Sequence, residues 1–189
     1  MKKHNASWLL LLALCCIFAS CKKEKITQQD ELSKLPPPTK TGANTFGCLV
    51  NGKAWVAQTD CKFLCDSRLS ITYDPISGGY IGITALLENS SNAQDEHIEL
   101  TFDSANHKNT FIFNSGSNLI GGAYLNRKDF TNCRKLDNSD LATSSTGTIT
   151  ITNFNLQTGI VSGNFEFSLI KSGCTPISVT NGRFDGRLF

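Results

Sequence analysis

From Thr45 onward the chain alternates apolar and polar residues with a period of two, and no other feature narrows its possible folds so far. The alternation is punctuated by Asn-Gly pairs, the strongest short-range signal for a two-residue hairpin turn. Asn51-Gly52 separates residues 45–50 from 53–57. A two-residue turn there sets Val50 opposite Lys53, Cys48 opposite Trp55 and Phe46 opposite Ala57. Phe46, Cys48 and Trp55 then share one face, and Leu49, Ala54 and Val56 share the other. Both faces are apolar, so this hairpin is expected in the middle of a sheet. Asn181-Gly182 predicts a second hairpin, between residues 177–180 and 183–189. Its register gives Ile177, Val179, Phe184 and Leu188 a greasy side, with Ser178, Arg183, Asp185 and Arg187 on a wet one.

More alternating runs lie between the two. Ile81, Ile83, Ala85 and Leu87 fall on one face, as do Ile98, Leu100 and Phe102, and Phe111 and Phe113 follow. Residues 148–156 and 160–170 flank a turn at Thr158-Gly159, with Phe165, Phe167 and Leu169 together. No helical period lasts beyond a turn or two. The pattern predicts an all-β protein over residues 45–189, a single antiparallel β-sandwich or a small barrel with short hairpins. Gly47 and Gly163 lie inside strands and are expected at bulges or where another chain comes close. Residues 126–145 are the least regular, and Cys133 is the residue able to tie them down.

The first 44 residues follow other rules. Lys2 and Lys3 precede an apolar run over residues 8–19, and Ile17-Phe18-Ala19-Ser20-Cys21 closes it. As a helix that run reaches about 18 Å, too short for a hydrocarbon core of about 30 Å. Charge, grease and small residues in that order make residues 1–20 a secretory signal peptide. A cysteine directly behind it is the mark of a bacterial lipoprotein, so Cys21 is expected to carry lipid and to tie the protein to a membrane of the cell envelope, the outer membrane. Residues 21–44 then predict a lipidated cysteine and a disordered tether. Pro36-Pro37-Pro38 favours an extended stretch, and a coil of this length holds a domain about 25 Å from the bilayer.

Two of the 18 basic residues lie in the signal, leaving 16 against 16 acidic ones. A flat charge balance argues against a nucleic-acid partner. Cys48, Cys61, Cys65, Cys133 and Cys174 fall in the folded region. In an oxidising compartment they suit up to two disulfides and one spare thiol, in pairings that spacing alone does not choose. The Cys61-Lys-Phe-Leu-Cys65 spacing lacks a second pair to complete a zinc site, so no metal and no cofactor is expected.

Groups suited to catalysis are few. His97 alternates with Ile98 and Leu100, which sets it on the polar face of its strand, and His107 falls in a turn. No serine sits in a strand-to-helix elbow. Asp95, Glu96, Glu99, Asp103 and Glu166 read as solvated strand faces rather than a paired-carboxylate cleft. Asp137-Asn138-Ser139-Asp140 lacks the ligand spacing of a calcium loop and reads as a turn. Trp55 shares its face with Phe46 and Cys48, which favours a core position. Arg183, Asp185 and Arg187, spaced by two, form either a salt-bridged solvent face or a site for a carboxylate or sulfate.

Three stretches together resemble a known group. They are Thr45-Phe46-Gly47-Cys48-Leu49-Val50-Asn51-Gly52-Lys53-Ala54-Trp55, Ser162-Gly163-Asn164-Phe165-Glu166-Phe167 and Val179-Thr180-Asn181-Gly182-Arg183-Phe184-Asp185. With the lipidated cysteine and Pro-containing tether, the mature chain resembles a family of Bacteroidota lipoproteins of unknown function. The resemblance implies an envelope lipoprotein with an all-β domain and brings no catalytic residues. Cys48 and Cys174 both lie near these stretches, which makes them the first pair expected to bridge. The expected function is a non-enzymatic binding or interaction module for an envelope or surface protein or glycan. Two alternatives remain. One is a small barrel holding an apolar ligand, suggested by 12 phenylalanines. The other is an envelope glycan or peptide hydrolase using His97 or His107.

Overall fold

The computed structural model describes residues 27–58, 68–88, 96–103, 110–115, 121–126 and 131–188. The signal segment with Cys21 lies outside the described residues, and so do Cys61, Cys65, Asp95 and His107. One short helix, α1 (Gln28–Ser33), precedes the strands β1 (Thr45–Val50), β2 (Lys53–Val56), β3 (Leu69–Asp74), β4 (Tyr80–Leu87) and β5 (Glu96–Phe102). They continue with β6 (Thr110–Asn114), β7 (Gly121–Asn126), β8 (Lys135–Asp137), β9 (Thr143–Asn155), β10 (Ile160–Lys171) and β11 (Ile177–Arg187).

The strands form two antiparallel sheets, in the orders β2-β1-β11-β10-β9-β6 and β3-β4-β5-β7-β8. They stack as a sandwich and do not close into a barrel. The alternation read from sequence supplies the filling. Ile81, Ile83, Ala85, Ile98, Leu100 and Phe102 from one sheet meet Phe111, Phe113, Phe165, Phe167 and Leu169 from the other, all buried. Phe46 lies 4.8 Å from Phe165 and Phe102 lies 5.0 Å from Phe111, centroid to centroid. Each such ring contributes about 1.5–3 kcal/mol by leaving water. These rings occupy the space in which an apolar ligand would sit.

The two Asn-Gly pairs part company here. At Asn51-Gly52 both residues have positive φ, 49° and 79°, and the strands pair Val50 with Lys53 and Cys48 with Trp55, as the turn requires. At Asn181 φ is 54°, but Gly182 is not among the residues with positive φ, and β11 runs straight through the pair. The ladders shift instead, between Gly47 and Leu49 on β1 and between Phe165 and Phe167 on β10. The expected hairpin is a β-bulge. Either feature reverses the side-chain parity once, which is why Ile177, Val179 and Phe184 still point inward together. Two glycines inserted after Asn51 should therefore move the melting temperature by only a few degrees. The same insertion after Asn181 breaks ladders on both sides and should abolish cooperative unfolding, read by circular dichroism. Equal tolerance at the two sites would contradict the bulge.

Residues 27–44, expected as disordered tether, are folded onto the domain. Thr27 and Asp30 form a capping box, each side chain bonded to the other's backbone N–H, at 2.8 and 3.3 Å. The helix it starts sits at the free edge of β2, where the Ala54 N–H donates to Glu31 Oε2 at 2.7 Å. Beyond it, Leu35 is buried and the Pro36 ring lies against Gly47, where a Cβ would sit 2.6 Å from the proline Cδ. Leu49, two residues along the same outward face, is fully buried. The second apolar face of the first hairpin is thus covered by the chain's own N-terminal segment. β1 is internal as expected, but β2 is the edge of its sheet.

The expected Cys48–Cys174 bridge is replaced by Cys133–Cys174, with Cα atoms 5.5 Å apart. Cys48 is a buried free thiol. The reason is position along the strands. Cys48 sits midway along the β1–β11 ladder, between the pairs Gly47–Arg183 and Leu49–Thr180, whereas Cys174 lies in the turn before β11 begins. Cys133 comes from the irregular segment joining β7 and β8 of the opposite sheet, so the bridge staples the two sheets at that end. At another edge the bridge of Ile71 to Leu188 links them through backbone.

Candidate functional site

The three charged residues picked out on β11 have three different fates. Asp185, expected on a wet face, is 1% exposed. Its carboxylate accepts hydrogen bonds from Thr39 Oγ1 at 2.6 Å, Thr41 N at 3.0 Å, Gly42 N at 2.9 Å, Ala43 N at 3.2 Å and Ser162 Oγ at 2.8 Å. Burial acts to raise its pKa, yet the hydroxyls of Thr39 and Ser162 and the amides of Ala43 and Thr41 together pull it down to about 2. Asp185 is the anchor on which the N-terminal segment docks. Arg187 is exposed and donates to the Thr158 carbonyl at 3.1 Å, so it braces the β9–β10 turn.

Arg183 differs from both. Its Nε is buried and has no hydrogen-bond partner. Among the described residues it takes part in no ion pair. Leaving a buried donor unpaired costs about 1–3 kcal/mol, so such groups call for an explanation. Arg183 lies at the side of a groove of about 680 Å³ on the outer face of the six-stranded sheet. The floor is set by register: Arg183 pairs with Asn164, Asn164 with Thr150, and Glu166 with Thr148. Gln29, Leu32, Ser33 and Pro38 of the N-terminal segment form the opposing wall. A recess of about 210 Å³ shares Pro38, Asn164 and Arg183 with it and runs toward Asp185.

Charge in the groove is sparse and separated. Asn164 and Glu166 are exposed on β10, two residues apart on one face. Glu166 is the diagonal neighbour of Arg183, at a spacing of about 7–8 Å between adjacent strands. The two do not pair with each other. Cation, carboxylate, amide and hydroxyl are thus all presented on one flat strand surface.

The other candidates are used structurally. Trp55 is core, as expected, and its Nε1 donates to Glu96 Oε2 at 2.8 Å. Glu96 is therefore not on a solvated face. Burial, reinforced by Glu96, pushes the Tyr124 phenol above its ordinary range. His97 does project from the outward face of its strand but is only 8% exposed, opposite Leu86. The Asp137 segment is a turn, its carboxylate accepting from the backbone of Ser139 and Asp140 at 2.9 Å each. Among the described residues no His, Cys, Asp or Glu side chains gather as a metal site would need.

Sequence reasoning singled out Arg183 but missed the wall facing it. The signal was present in Thr27-Gln28-Gln29-Asp30, a capping-box spacing that marks a helix start. Asp185 carried no comparable signal, because its partners in the N-terminal segment lie more than 140 residues away in sequence. Family models, curated proteins and solved structures were all compared with this chain, and none of them matches it.

Proposed function

We propose that this chain is a lipid-anchored protein of the bacterial cell envelope, held at the outer membrane through Cys21, whose sandwich binds a partner without transforming it. The address rests on the signal pattern and on the resemblance to Bacteroidota lipoproteins. The binding half rests on one observation, the unpaired Nε of Arg183, a residue that lines the outer-face groove. A buried donor kept at a cost in stability is what a ligand site requires. The rest of the groove offers hydrogen bonds rather than a nucleophile with its base, which favours recognition over hydrolysis.

Anchoring and binding are connected by distance. From Cys21 to Thr27 the chain reaches at most about 20 Å when fully extended. The folded N-terminal segment that walls the groove would therefore stand close to the bilayer, not on the long coil suggested by composition. In a Bacteroidota host, Cys21→Ser is expected to move the protein from the membrane fraction to the soluble envelope fraction. The wild-type N-terminal peptide should also gain acyl mass. A protein that stays membrane-bound as Cys21→Ser, or a wild-type Cys21 without acyl groups, would remove the anchor.

A further inference from the structure

We infer that the groove selects an acidic oligosaccharide, with the carboxylate of a uronic-acid unit on Arg183 and neighbouring sugar hydroxyls on Asn164, Thr150 and Glu166. The inference rests on the reading of the groove as the binding site and adds the chemical class. Four observations favour it. The unpaired donor, Nε, belongs to a guanidinium, whose planar fork matches a carboxylate in two parallel hydrogen bonds. Around it stand amides and hydroxyls that both donate and accept, the pairing that sugar hydroxyls need. Glu166, an acceptor-only carboxylate one diagonal away, would repel a second anion but accept from a pair of hydroxyls. That disfavours a polyanion such as a phosphorylated chain. The fourth observation is length: beyond Glu166 and Thr148 a further depression of about 390 Å³ continues along the same face toward Ile112. With about 680 Å³ on the Arg183 side, the surface accommodates several linked units rather than one small acid.

A zwitterionic peptide is the rival that the same charges admit, with its carboxylate on Arg183 and its ammonium on Glu166. The test is isothermal titration of the intact chain in detergent micelles with glucuronosyl-xylotriose, which carries a single uronate, and with xylotetraose, tetraglycine and inorganic sulfate. Glucuronosyl-xylotriose should bind and xylotetraose should bind at least about tenfold more weakly, the discrimination of one charge-assisted hydrogen bond. Arg183→Gln should lose about 10- to 100-fold in affinity for the uronate, and Arg183→Lys should recover part of it. Glu166→Gln should weaken both saccharides while leaving the preference for the acid. A melting temperature no lower than that of the wild type in each variant separates lost contact from lost fold. Tetraglycine or sulfate binding in place of uronate, with dependence on Arg183, would overturn the saccharide class and leave the groove as the site. Binding of no probe, or binding indifferent to Arg183, would overturn the groove as well.

Discussion

Asp185→Asn is expected to cost the domain about 3–5 kcal/mol, because an amide nitrogen in place of either oxygen leaves at least two donors without an acceptor, at about 1–3 kcal/mol each. The carboxylate serves donors from Thr39, Thr41, Gly42, Ala43 and Ser162, and an amide turns its own NH₂ toward some of them. The cost has a pH signature. Holding this carboxyl at about 2 rather than its usual 3.8 is equivalent to about 2 kcal/mol of native-state stability. Because the folded value lies below the unfolded one, that contribution is complete above about pH 4 and fades as the pH falls toward 2. Asp30, Glu31, Asp74, Asp137 and Asp140 are also held low by their hydrogen bonds, so the wild-type acid limb is shared. The difference between wild type and Asp185→Asn isolates one residue. Urea melts between pH 2 and 7 should show the gap narrowing on acidification. Residues 35–43 of the variant should become accessible to protease at neutral pH. A variant as stable as wild type, with the same acid limb, would mean the segment is held by something other than Asp185.

Removing the disulfide with Cys133→Ser and Cys174→Ser should cost about 4 kcal/mol, the loop-closure entropy released when a 41-residue connection is freed in the unfolded chain. The loss should be seen as a lower urea midpoint, with a larger slope because the reduced denatured state is more expanded. Cys48 supplies the internal control. Burial alone drives its thiol above the ordinary range, so it should resist alkylation until the protein unfolds. Peptide mapping under non-reducing conditions should give a 133–174 linkage. A linkage through Cys48 would contradict the register of β1 on β11.

The alternating faces of β4, β5, β6, β10 and β11 were legible in the chain because side-chain parity is a local property with a period of two. The Asn51-Gly52 turn was legible for the same reason. The same two residues at 181–182 were misleading, since the local preference for positive φ suits a turn and a bulge alike. What separates them is company. β11 has β1 on one side and β10 on the other, and a strand held by two ladders absorbs one extra residue more cheaply than it reverses direction.

The candidate site divides along the same line. Arg183 was marked by its spacing with Asp185 and Arg187, but nothing local told the three apart. Their roles follow from residues far away in sequence: Thr39 and Ala43 claim Asp185, the Thr158 carbonyl claims Arg187, and no described residue claims Arg183. By itself the sequence determined the strand faces, the first hairpin and an all-β class, each set by contacts within a few residues. Only the tertiary structure decided sandwich over barrel, bulge over turn, the partner of Cys174 and the docking of residues 27–44. Those outcomes depend on which distant segments come within bonding distance, and a period of two carries no information about that.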